Sequence, residues 1–95
     1  MEELCSIETI WEELGDRVRI LREREGLSQE KLALMVDIDR TYLLDVEKGR
    51  RNASIESLVK LSRGLDITLS ELLFNIDPSN PDQGADYAFV KIPRQ

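Results

Sequence analysis

Between Arg40 and Asn52 the sequence gathers side chains suited to the edges of bases and to phosphate. An arginine fork matches guanine O6 and N7, and Arg40 supplies one. Thr41 carries a methyl group that can touch a thymine methyl, and Asp45 a carboxylate that can accept from cytosine N4. Lys48, Arg50 and Arg51 place three cations within four residues, a density that suits phosphate oxygens. Each side chain has a plainer reading too. Arg40 pairs with Asp37 or Asp39, Asp45 is solvated or pairs with Lys48, and Arg50 and Arg51 are ordinary solvated charges.

Enzyme chemistry finds no comparable grouping. The chain has no histidine, the usual general base and metal ligand at neutral pH. Its single cysteine, Cys5, offers neither an intrachain disulfide nor a metal-binding pair. No glycine-rich nucleotide loop is present. Carboxylates are plentiful, but none stands apart from solvated helix faces as a catalytic pair. The expectation is a non-enzyme with no cofactor and no metal.

The elements that must position residues 40–52 can be read from their start and stop signals. Five helices are predicted. The first runs from about Ile10 to Glu25, with Thr9 and Glu12 spaced as a capping box, an apolar stripe of Leu14, Val18 and Leu21, and Gly26 as a left-handed stop. Ser28 caps a second helix that carries Leu32, Ala33 and Val36. The short connection Asp37-Ile38 leads to Asp39, the cap of a third helix over Arg40 to Lys48, and Gly49 ends it. Ser54 caps a fourth helix with Leu58, Leu61 and Leu65 facing inward. Thr68 and Glu71 form a capping box before a short fifth helix that ends near Phe74.

The second and third helices are each about eight residues long and too small to stand alone. Joined by so short a turn, they cross steeply, and the third can protrude into a major groove. Ala33 is small where the two helices must cross, Ile38 can plug the core beneath the turn, and Leu43 and Val46 form the inner face of the third helix. Its outer face then carries Arg40, Thr41, Leu44, Asp45 and Lys48.

These residues, taken with their neighbours, resemble a known family. Leu14-Gly15, Arg17-Val18, Leu21-Arg22, the run Gly26 to Ala33, Arg40-Thr41-Tyr42-Leu43, Val46-Glu47-Lys48-Gly49 and the fourth- and fifth-helix leucines are similar to the XRE (Cro/lambda repressor-type) helix-turn-helix family. The likeness spans about 60 residues without a gap. It implies an all-α, five-helix lambda-repressor-like DNA-binding domain with a short C-terminal tail, extended or strand-like.

The resemblance also implies roles. Arg40, Thr41, Leu44 and Asp45 correspond to base-contacting positions. Ser28, Gln29, Tyr42, Lys48, Arg50, Arg51 and Asn52 correspond to phosphate contacts, Gln29 also bracing Arg40. Gln29 is otherwise a polar first-turn residue, and Tyr42 a packing residue. Arg22 and Glu47 match a family ion pair that ties the first helix to the end of the third. Two positions depart from the pattern. Asp37 stands where relatives often have glycine, so an aspartate-tolerated left-handed turn is expected there. Leu44 replaces a small residue; it either meets a thymine methyl, packs within the chain, or marks a protein-binding face.

The net charge of −6 argues at first sight against a nucleic-acid partner. Its distribution answers the objection. Residues 1–14 hold five acids and no base, whereas residues 15–74 hold eleven of each sign. The acidity is concentrated outside residues 15–74, and local patches govern phosphate binding. The chain is therefore divided into an acidic N-terminal segment (1–8), a helix-turn-helix domain (9–76), and a linker and tail (77–95). The tail joins a turn-rich stretch, Asp77 to Gly84, to strand formers Tyr87, Phe89, Val90 and Ile92.

The expected function is a sequence-specific transcriptional regulator, a repressor by type, that binds double-stranded DNA at a palindromic operator as a homodimer. Leu73, Phe74 and Ile76 are the candidate dimer surface. One alternative is an antitoxin-like regulator whose terminal segments bind a protein partner. Another is the DNA-binding head of a longer phage-type repressor. Glu2 and Glu3 have the wrong charge to open a signal peptide. The longest apolar run, Leu32 to Val36, is far short of the ~20 residues a membrane span needs. A cytoplasmic location with no membrane partner follows.

Overall fold

The computed structural model describes residues 7–76. They form five helices: α1 (Ile7–Arg24), α2 (Gln29–Val36), α3 (Arg40–Glu47), α4 (Ile55–Gly64) and α5 (Leu69–Leu72). There is no strand among the described residues. Residues 1–6 of the acidic opening segment and the strand-forming tail lie outside them.

Each helix after the first starts where a short polar side chain can satisfy a free backbone N–H. The hydroxyls of Ser28 and Ser54 accept from the N–H of Lys31 and Ser57 at 3.0 and 3.1 Å. The Asp39 carboxylate accepts from Thr41 N–H at 2.9 Å and Tyr42 N–H at 3.3 Å. Thr68 and Glu71 close a reciprocal capping box. The first helix is the exception to the predicted starts. It begins at Ile7 rather than near Ile10, so Thr9 lies inside the helix and does not cap it. Nothing in Ile7-Glu8-Thr9, which holds neither proline nor glycine, breaks a helix.

Four helices end in the same way, with a residue in the left-handed region and two hydrogen bonds back into the last turn. Glycine fills that position at Gly26 and Gly49, both at φ 73°. Aspartate fills it at Asp37 and Asp66, both at φ 61°. At Asp37, its own N–H reaches Leu34 O at 3.3 Å and Ile38 N–H reaches Ala33 O at 3.0 Å. The left-handed turn expected at Asp37 is therefore present.

The core is built from leucine and valine on the inward faces. Leu32, Leu43, Leu61, Leu72 and Val18 are fully buried, and Leu14, Ala33, Val46, Leu58 and Leu65 nearly so. Each buried leucine contributes about 1.5–3 kcal/mol relative to exposure. The first helix packs on α3 and α5, α2 on α3 and α4, and α4 on α5. Two close approaches set the spacing. A Cβ on Gly15 would lie 2.3 Å from Val46 O and 2.7 Å from Glu47 O. A Cβ on Gly64 would lie 2.3 Å from Val36 Cγ1. No helix among the described residues is long and apolar enough to cross a membrane.

Candidate nucleic-acid interface

The third helix is carried on its partners by buried contacts, which leaves its opposite face free. Leu43 and Val46 point into the core. Arg40, Thr41 and Lys48 are exposed, and Leu44 and Asp45 are half-buried along the same outer side. Arg40 pairs with neither Asp37 nor Asp39; the Asp39 carboxylate is taken by the helix cap instead. The guanidinium at the start of α3 is thus held by no acid among the described residues.

A buried ion pair fixes the other end of the helix. Arg22 Nε donates to Glu47 Oε2 at 2.6 Å and Arg22 Nη2 to Oε1 at 3.0 Å, a two-pronged geometry in which arginine and carboxylate match. Both residues are buried, at 8% and 7% exposure. Arg22 Nη1 also donates to Leu27 O at 2.8 Å. The Glu47 hydrogen bond raises the Arg22 pKa above its ordinary value, against the opposing effect of burial. Gln29 joins the group, its side-chain amide donating to Glu47 Oε1 at 3.0 Å. One carboxylate therefore ties α1, the start of α2 and the end of α3 together.

That arrangement leaves donors facing outward at the start of α2. Gln29 uses one amide hydrogen on Glu47, and its second remains. The Ser28 hydroxyl accepts from Lys31 N–H, which leaves its own O–H to give. Helix N-termini add unsatisfied backbone N–H groups, a chemistry suited to an anion.

The loop after α3 holds the cations. Arg50 N–H closes the helix end on Asp45 O at 2.9 Å. The Asp45 carboxylate lies 4.0 Å from Arg50 Nη1 and 3.8 Å from Arg51 Nη2. Its ion-pair partners are these arginines rather than Lys48. Arg51 also sits over the Tyr42 ring, 4.7 Å from its centroid, within cation–π range. The Tyr42 hydroxyl accepts from Ser54 N–H at 3.3 Å. Burial pushes the Tyr42 phenol up, but hydrogen bonds to Ser57 and Ser54 and the Arg51 charge outweigh it, so its pKa falls below the ordinary value. Asn52 is exposed beside them. On the other flank, Glu12, Asp16, Glu47, Lys48 and Arg50 line one open cleft.

Several of these contacts have no signal in the sequence. Arg17 donates to three carbonyls at the end of α5, those of Glu71, Leu72 and Phe74, at 3.3, 3.1 and 3.0 Å. Lys60 reaches Asp37 O at 3.4 Å from α4 and pairs with Glu56 at 3.8 Å. The Glu56–Lys60 pair follows the helical i,i+4 spacing, but the other partners are tens of residues apart and no spacing rule joins them. Of the candidate dimer residues, Leu73 and Ile76 are half-buried against the core and Phe74 is 45% exposed. Ile20, 46% exposed, lies one turn along α1 from Arg17.

The chain has known counterparts. A family model described as helix-turn-helix matches residues 18–72. The control protein C.MunI of Mycoplasma sp is 48% identical over 64 residues, covering 66% of this chain and 86% of that protein. Among solved structures, the restriction-modification controller protein C.AhdI of Aeromonas hydrophila is similar at a TM-score of 0.64 and 45% identity, over 65% of this chain and 94% of that one. The restriction-modification controller C.Esp1396I, solved as a tetramer with its natural 35 base-pair operator, matches at a TM-score of 0.63 and 28% identity over 70% of this chain and 92% of its own.

Proposed function

The chain belongs to the helix-turn-helix family of DNA-binding transcriptional regulators, and on that premise we propose that it represses transcription by binding a palindromic operator as a homodimer. The observation that carries this reading is the outer face of α3, where Arg40 and Thr41 stand exposed while Arg22 and Glu47 lock the helix from beneath. Relatives named as control proteins and as a restriction-modification controller support a reading in which the regulated genes are of restriction-modification type.

In this reading α3 enters the major groove, where Arg40, Thr41 and Leu44 face the base edges and Asp45 lies on the same outer side. Ser28, Gln29, Tyr42, Lys48, Arg50, Arg51 and Asn52 flank the groove and meet phosphate, which fixes register without reading sequence. The DNA-binding unit is residues 9–76; residues 1–8 and 77–95 flank it as an acidic segment and a tail. Leu73, Phe74 and Ile76 form the dimer contact. The dimer spaces two recognition helices by about 34 Å, one helical turn of DNA. The protein works in the cytoplasm and carries out no catalytic step.

Fluorescence anisotropy with the protein's own promoter and with scrambled duplexes, across a salt series, tests the proposal. The promoter should be preferred by at least about a thousandfold, and Arg40→Ala should flatten that preference. Equal, weak binding of both duplexes at moderate salt would overturn it.

A further inference from the structure

Asp45 is an acid placed among cations assigned to the DNA backbone. Its two carboxylate oxygens reach one arginine each, Oδ1 to Arg50 at 4.0 Å and Oδ2 to Arg51 at 3.8 Å. The grouping is held on both sides. Arg50 is anchored through its backbone N–H to Asp45 O at 2.9 Å, and Arg51 rests on the Tyr42 ring. The side chains remain open to solvent, at 64% exposure for Arg50, 45% for Arg51 and 28% for Asp45.

Exposed ion pairs at this separation contribute little to folding. Their effect on a polyanion is larger. A phosphate that approaches Arg50 or Arg51 must displace the carboxylate from them, and the displaced carboxylate stays within a few ångströms as a like charge. Glu12 and Asp16 line the same open cleft as Lys48 and Arg50, so Arg50 has acid on two sides.

We propose that Asp45 is an internal competitor for phosphate: it occupies Arg50 and Arg51 in the free protein and so sets a low affinity for DNA of any sequence. The inference rests on the reading of Arg50 and Arg51 as phosphate contacts. It gives Asp45 a role separate from base recognition, because the penalty falls on every duplex. It also makes Asp45 a positioning residue, acting through the arginines.

The test measures binding of a scrambled duplex and of the promoter duplex by wild type, Asp45→Asn and Asp45→Glu, with thermal melting as the check on folding. Asp45→Asn should bind scrambled DNA about three- to tenfold more tightly at moderate salt. Its salt dependence should steepen by about 0.9 per arginine released, a readout that a merely structural residue does not move. Asp45→Glu should restore the wild-type values, and Arg50→Ala with Arg51→Ala in the Asp45→Asn background should abolish the gain. Unchanged affinity of Asp45→Asn for scrambled DNA would overturn the inference. Loss of promoter binding alone would do so as well, since it would make Asp45 a cytosine reader. Failure of the operator reading looks different: wild type itself shows no promoter preference, while the effect of Asp45 on scrambled DNA is still measured.

Discussion

Two acid–base clusters flank the last turn of α3, and they are opposites in almost every physical respect. Glu47 and Arg22 are buried, meet at 2.6 Å, and enlist Gln29 and a backbone carbonyl as further partners. Asp45, Arg50 and Arg51 are open to water and meet at 3.8–4.0 Å. Burial shields the first from solvent, whereas water competes in the second. A buried pair that loses one partner strands a charge in low dielectric, so it behaves as part of the scaffold. A solvated pair exchanges partners more readily, so its cations can pass to phosphate, though against the competition of the carboxylate. Two residues apart on one helix, Asp45 and Glu47 thus divide holding the helix from tuning what it touches.

The sharpest way to break this contrast is to remove Glu47. Glu47→Ala leaves the Arg22 guanidinium buried without its carboxylate and should cost about 3–5 kcal/mol in urea denaturation; a loss under 1 kcal/mol would erase the distinction between the clusters. Next in size is Gly15→Ala. The added methyl would meet the Val46 and Glu47 carbonyls, forcing α1 off α3 at the level of the buried pair, and should cost about 1–3 kcal/mol. The same denaturation series on Asp45→Ala should show less than about 1 kcal/mol, although its effect on DNA affinity is readily measured. Smallest is Asp37→Gly, which relieves a left-handed non-glycine residue at the turn; a gain or loss within about 1 kcal/mol is expected, with promoter preference retained. A large loss there would mean that the Asp37 side chain supports the turn through more than its backbone conformation.

Much of this architecture was legible from local chemistry. Ser28, Asp39, Ser54 and Thr68 announce helix starts because a cap is satisfied within three residues, and Gly26 and Gly49 announce stops for the same reason. The inward positions of Leu58, Leu61 and Leu65 follow from helical period alone. The start of α1 was misplaced because Thr9 and Glu12 have capping-box spacing, and spacing says nothing of where a helix already under way began. The candidate site was legible only as a set of residue types. That Arg40 stays clear of Asp39, that Asp45 turns to Arg50 and Arg51, and that Gln29 shares Glu47 with Arg22 are outcomes of packing among helices, where side chains choose among several partners of equal charge. Arg17 was invisible for a similar reason, its three acceptors lying 54–57 residues away.

That same arginine bears on the order in which the chain comes together. With only four residues, α5 is shorter than any helix that persists alone in water, and three carbonyls at its end are met by a side chain from α1. The capping box can organise its start from local sequence, but its finish waits for the two ends of the domain to meet, the slowest kind of contact to form. During refolding, the amides of residues 72–76 should accordingly gain protection from exchange after those of α2 and α3.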